Sequence, residues 1–164
     1  MTDHIVVGDR ILLDADFRDA RARLGILASD QTLLWASEEA YGEGITALVK
    51  AAGPTAGLTR LAGVRPADLA AADHCAHITL RWDAIAADGT LFTALDGDLM
   101  LVPAGDEATA LALAGAYRPQ PGPAGAGLDR AIVRECATAA IRGFLARVAC
   151  LLAHPAGTAQ ARRS

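Results

Sequence analysis

The chain is poor in lysine and in aromatic rings. Lys50 is the only lysine, so arginine supplies the other fourteen of fifteen basic residues, and aromatics make up 4% of 164 residues. The basic residues are outnumbered by nineteen acidic ones, for a net charge of −4. A nucleic-acid partner is excluded on that balance, because phosphate contacts need clustered Lys and Arg. Cysteine is scarce and odd in number. Cys75, Cys136 and Cys150 form no C-x-x-C pair, so neither a disulfide framework nor a zinc knuckle is expected, and a reduced, cytoplasmic setting fits. Long apolar runs are missing as well. Asp9 and Arg10 interrupt the first apolar stretch well short of a signal-peptide core, and no window approaches 18 uninterrupted apolar residues. No membrane span is expected.

What is present is periodicity. Ile5, Val7, Ile11 and Leu13 fall on one side of a first strand. Asp14 and Asp16 offer N-cap oxygens to a helix carrying Phe17, Ala20, Leu24 and Leu27. Ser29-Asp30 opens a second, short helix with Leu33, Leu34, Trp35 and Tyr41, ended by Gly42 and Gly44. From there the period becomes two. Ile45 to Ala51 and Leu58 to Arg65 flank Gly53-Pro54-Thr55-Ala56-Gly57 as a hairpin would. Ile78, Leu80, Trp82 and Ala84 share one face of the next strand. Leu95, Leu99 and Leu101 share a face of another, and Leu111, Leu113 and Tyr117, opposed by small alanines, a face of the last. This is the alternation of an antiparallel meander buried on one side.

Prolines 119, 121 and 123 stop the last strand, and a helix of about 25 residues, long for a globular protein, follows. Leu128, Ile132, Cys136, Ala140, Phe144 and Val148 recur every fourth residue. Each step of four lags the 3.6 period by about 40°, so the stripe spirals and must either cross a curved surface or meet different neighbours at its two ends. With no internal repeat, residues 1–154 read as one domain and 155–164 as a flexible tail.

This order resembles the helix-grip fold of the START/Bet v 1-like (SRPBCC) superfamily, which includes polyketide cyclases and lipid-transfer proteins. The local text that carries the resemblance is Arg81-Trp82-Asp83, Leu91-Phe92 through Leu95-Asp96-Gly97-Asp98-Leu99, and Gly115-x-Tyr117-x-Pro119-x-Pro121-Gly122-x-x-Gly125-x-x-x-Asp129. The resemblance implies an α+β protein: a curved antiparallel sheet of about six strands wrapped on the long C-terminal helix, with two short helices after the first strand. It also implies an apolar cavity between sheet and helix. No catalytic motif carries over with it.

Few constellations invite chemistry. Asp73-His74-Cys75-Ala76-His77 is dense in metal ligands, but strand alternation sends neighbours to opposite faces and no second cluster completes a tetrahedron. It reads as a polar strand end, so no metal and no cofactor is expected. Cys136 and Cys150 lack the positive partner or helix N-terminus that lowers a thiol's pKa, and read as core residues. The run Gly122 to Gly127 lacks the Gly-Lys-Ser/Thr of a phosphate loop and reads as a stiff corner. Arg130, Arg134 and Arg142 form a basic row that reads as a solvated face.

The expected ligand set lines the cavity. Leu80, Trp82, Phe92, Leu99, Leu113, Tyr117 and Phe144 form its wall, the Tyr117 hydroxyl orients the ligand, and Trp35 and Tyr41 guard the mouth. The expected function is binding of a small hydrophobic molecule, a lipid, polyketide or similar metabolite. The alternatives are a cyclase- or dehydratase-type enzyme on the same scaffold, and a ligand-free interaction domain, most simply a homodimer joined by an apolar sheet face.

Overall fold

The computed structural model describes residues 5–53, 59–66, 69–118 and 129–153. Strand β1 (Ile5–Leu13) leads into α1 (Phe17–Ser29), whose N-cap Asp16 accepts the backbone N–H of Asp19 at 2.7 Å. Asp30 accepts the N–H of Thr32 at 2.8 Å, where α2 (Thr32–Ala52) begins. Then come β2 (Arg60–Pro66), the two-residue β3 (Ala70–Ala71), β4 (Ala76–Ile85), β5 (Leu91–Pro103), β6 (Thr109–Tyr117) and α3 (Arg130–Ala153). All strands pair antiparallel in the order β1-β6-β5-β4-β2, with β3 beside β4.

Two expectations are corrected along this path. The second helix does not end at Gly42 and Gly44 but runs 21 residues to Ala52, so Ile45 to Ala51 is helix rather than a hairpin strand. The reason is tertiary. Gly44 sits where α2 crosses α3, and a Cβ there would stand 3.0 Å from Ala140 Cβ and 3.1 Å from the Cys136 carbonyl oxygen. Glycine lets the two helices approach, and that contact outweighs its poor helix propensity of about 1 kcal/mol. The second correction concerns Cys150, which is exposed. It lies off the face of α3 carried by Val148, Ala149, Leu151 and Leu152. Leu128, the run Gly122 to Gly127 and the tail lie outside the described residues.

The meander follows its alternation. On β4, Ala76, Ile78, Leu80, Trp82 and Ala84 are all buried, and the intervening residues lie at the surface. Arg65–Asp83 (2.8 Å) and Arg81–Asp96 (3.2 Å) pair across strands on the outer side. Gly97 of β5 faces Gly115 of β6 on the inner side of the sheet. A Cβ on Gly115 would lie 2.5 Å from Gly97 Cα and from the Asp96 carbonyl oxygen, so no side chain fits on that concave row.

Helix α3 fills the concavity and meets different neighbours at its two ends, as its spiral stripe demands. Gly44 approaches it at Cys136 and Ala140, Asp9 of β1 pairs with Arg142 at 3.0 Å, and Arg23 of α1 donates to the Leu152 carbonyl at 2.6 Å. That guanidinium satisfies an otherwise orphaned end carbonyl of α3. Although α3 is long and apolar enough to cross a membrane, over half of its apolar window is buried in the fold, which is the behaviour of a core helix.

Candidate functional site

The centre of the core is an aromatic stack set by three elements. Trp82 projects inward from β4, fully buried, between Tyr41 of α2 and Phe144 of α3. Both ring pairs meet edge to face, with centroids 6.2 Å apart for Tyr41–Trp82 and 5.7 Å for Trp82–Phe144. Such geometry places the positive ring edge on a negative face and adds about 0.5–1.5 kcal/mol per pair beyond burial. Leu80, Leu99 and Leu113 are buried in the same cluster, as is Phe92. Trp35 stands apart from them, 45% exposed on the solvent side of α2.

One end of this core is polar. Tyr41 donates its hydroxyl to Thr59 Oγ1 at 3.1 Å, and both side chains are buried. Tyr117, the last residue of β6, and Cys136 line the same small recess with Arg118. A β-bulge sets this corner. Trp82 pairs with Leu95 but Asp83 with Thr93, so Ala94 is the extra residue, and its carbonyl accepts the N–H of Arg118 at 2.8 Å. Bulges re-aim side chains in this way at the rims of sheets. The recess holds about 10 Å³, room for one water.

The electrostatics there favour protonated groups. Burial lifts the Tyr117 phenol far above its ordinary range, with the neighbouring Tyr41 and Cys136 adding to the effect. Burial also raises Tyr41, partly offset by its bond to Thr59, and raises the Cys136 thiol, with Glu135 adding. At neutral pH all three keep their protons, so the recess can donate hydrogen bonds and has no charged nucleophile among these groups.

Two buried polar atoms of the core have no partner among the described residues. Ser37 Oγ and Trp82 Nε1 are both buried without a hydrogen bond. Ser37 precedes Tyr41 by one helical turn on the buried face of α2. An unpaired buried donor costs about 1–3 kcal/mol, and each such group in a fold calls for an explanation.

Thr59 and Arg118 were not anticipated as lining residues. Helical spacing continued through Gly42 and Gly44 brings Ile45 and Leu48 to the side of Tyr41, but nothing local marks Thr59. Among the described residues no group of three His, Cys, Asp or Glu side chains could hold a metal ion, and His77 points outward from β4.

No protein-family model and no curated protein matches the sequence. Solved structures do match. A conserved protein from Geobacillus kaustophilus superposes with a TM-score of 0.53 at 12% identity, over 91% of this chain and 95% of that one. This is a helix-grip protein. Other similar structures are the Zhui aromatase/cyclase from Streptomyces sp. R1128 (TM-score 0.40, 8% identity, 94% of this chain and 99% of that one) and a START superfamily protein from Mycobacterium smegmatis (0.39, 12%, 91% and 99%). The likeness is one of fold, the fold that the sequence resemblance implies. The helix-grip architecture accounts for the position of the polar recess, at one end of the space between sheet and α3.

Proposed function

We propose that this protein binds a small hydrophobic molecule, such as a lipid or polyketide, between the sheet and α3. Entry is at the end lined by Tyr41, Thr59 and Tyr117, and the setting is the cytoplasm. The observation that carries this reading is the pair of orphaned polar atoms, Ser37 Oγ and Trp82 Nε1, buried in the core, with Trp82 in ring contact with Tyr41 of that entrance. A core closed for good has no reason to keep two unsatisfied groups at its centre. Polar groups of a ligand admitted to the core would satisfy them and offset their cost. The aromatic stack fills the space in the closed state, so binding moves the Trp82 indole and the Tyr41 ring. Apolar burial supplies the affinity at roughly 25 cal/mol per Å². The Tyr117 hydroxyl, held protonated, orients the ligand by donating to it.

A cyclase- or dehydratase-type enzyme is the second reading, favoured by two phenols kept protonated at the entrance, which suit proton donation to a carbonyl. Among the described residues no carboxylate or imidazole lines the recess to serve as base, so this reading ranks behind simple binding.

The test is native mass spectrometry of freshly purified protein, with organic extraction of whatever is released. A discrete, stoichiometric apolar adduct is expected, with uptake weakened about 5- to 10-fold in Tyr117→Phe by the loss of one hydrogen bond. A clean apo mass, with no uptake from a panel of fatty acids and aromatic polyketides, would refute the reading.

A further inference from the structure

Where β1 and β6 run side by side, the outer face of the sheet is largely apolar. Along β1, β6 and β5 the outward residues stand in register in four rows. Leu12, Ala110 and Val102 form the first, and Arg10, Ala112 and Met100 the second. Gly8, Ala114 and Asp98 follow, then Val6, Ala116 and Asp96. Val6 is 80% exposed, Leu12 62% and Val102 41%. β6, between β1 and β5, therefore presents a smooth alanine ridge flanked by the exposed Val6 and Leu12 of β1 and Val102 of β5.

The charges beside the ridge decide what covers it. Arg10, on the β1 flank, has no carboxylate partner for its guanidinium among the described residues. Asp98, on the β5 flank, accepts the Thr79 hydroxyl at 3.0 Å and has no cation beside it among the described residues. The remaining acid on the patch, Asp96, is already paired with Arg81. One unpaired cation and one unpaired anion thus stand on opposite sides of a neutral ridge, and such a surface is complementary to itself.

We propose that a second copy of this chain docks here, face to face, about a two-fold axis running along β6. That axis keeps each residue's level along the strand and exchanges the flanks. Leu12 then lies over the partner's Val102. Arg10 lies over the partner's Met100, one row, or about 7 Å, from the partner's Asp98 and within reach of its side chain. The other in-plane axis would set Arg10 over β1 of the partner and leave all four charges unmatched. Alanine against alanine lets the sheets come close. The patch covers about 20 Å along the strands and about 15 Å across them, hence roughly 300 Å² per copy. That is well under the roughly 800 Å² per partner of a standard interface, so the dimer is weak and forms with concentration. It involves the outer face only and stands independently of ligand binding inside.

Sedimentation velocity tests this from about 5 to about 500 µM, the range in which so small an interface associates. The expected result is a monomer at the low end moving to a dimer at the high end. Ala114→Glu on the ridge abolishes the shift, and circular dichroism confirms that this surface variant is folded. Arg10→Asp weakens association at least about 10-fold, and adding Asp98→Arg restores it to within about 3-fold of the parent. A monomer throughout the range overturns the proposal. So does a dimer indifferent to Ala114→Glu, or one that the double charge exchange leaves as weak as the single.

Discussion

Replacing Ser37 with alanine is expected to make the protein more stable, although the residue is fully buried at the heart of the fold. The hydroxyl has no hydrogen-bond partner, so removing it relieves a desolvation cost of about 1–3 kcal/mol. Ser37 also lies in the interior of a 21-residue helix, where alanine gains about 0.5 kcal/mol in propensity. Against this stands one lost oxygen's worth of packing, a void smaller than a methyl group and worth about 0.5–1 kcal/mol. The net is a gain of about 1–2 kcal/mol, which in a chain of this size raises Tm by about 2–6 °C. Differential scanning calorimetry on protein stripped of adducts reads it directly. Urea unfolding adds the check that the midpoint shifts while the slope does not. A loss of 1 kcal/mol or more would refute the reasoning, since it would mean that the hydroxyl has a partner in the closed protein. Repeating the measurement on protein loaded with its adduct reverses the expected sign, because there the hydroxyl bonds the ligand.

Two further perturbations probe the frame and the recess. Gly115→Ala places a Cβ 2.5 Å from backbone atoms of the facing strand and should lower stability by about 3 kcal/mol or more. Gly42→Ala, on the same test, meets nothing within 4 Å and should raise stability by about 0.5–1 kcal/mol; equal melting points for the two variants would contradict the close approach of backbone at Gly115. At alkaline pH, Tyr117 and Tyr41 contribute stability that is intact below their unfolded value near 10 and lost as pH rises above it, because burial raises both in the fold. These are the only two tyrosines, so absorbance at the tyrosinate band should rise together with unfolding, and Tyr117→Phe should move that transition to higher pH. A reversible titration near pH 10 with the fold intact would show that the phenols are not buried.

The strands and the long helix were legible because each has one face to bury, and a period of two or of 3.6 records which. Trp82, Leu99, Leu113 and Phe144 could be placed inside on that ground alone. What misled was glycine. Gly42 and Gly44 carry the local signature of a helix end, and only the crossing of α2 over α3, between residues about a hundred apart in sequence, shows that Gly44 is there for close approach. That one error displaced the helix–strand boundary and with it the recess. Ile45 and Leu48 were assigned to a strand, and Thr59, the partner of the Tyr41 hydroxyl, was not singled out. Cys150 was misread for a related reason, since a buried face two residues wide per turn leaves every third or fourth position to solvent even near other core residues.

The placement of its few rings explains how so aromatic-poor a chain supports both a tight core and a proposed ligand site. Only seven aromatic side chains are available, and three of them, Tyr41, Trp82 and Phe144, meet at one point on three different elements. Most of the remaining interior is aliphatic, largely leucine and alanine, which lock by shape. Among the described residues the stack is where large flat groups touch by their edges, where Tyr41 bonds Thr59 just ahead of β2, and where the Trp82 indole N–H stands idle. Displacing a single ring there opens a volume that no leucine rearrangement could provide. Trp82→Phe therefore separates the two states: in the closed protein the smaller ring removes an unsatisfied donor, and in the open one it removes the group that would hold the ligand's oxygen.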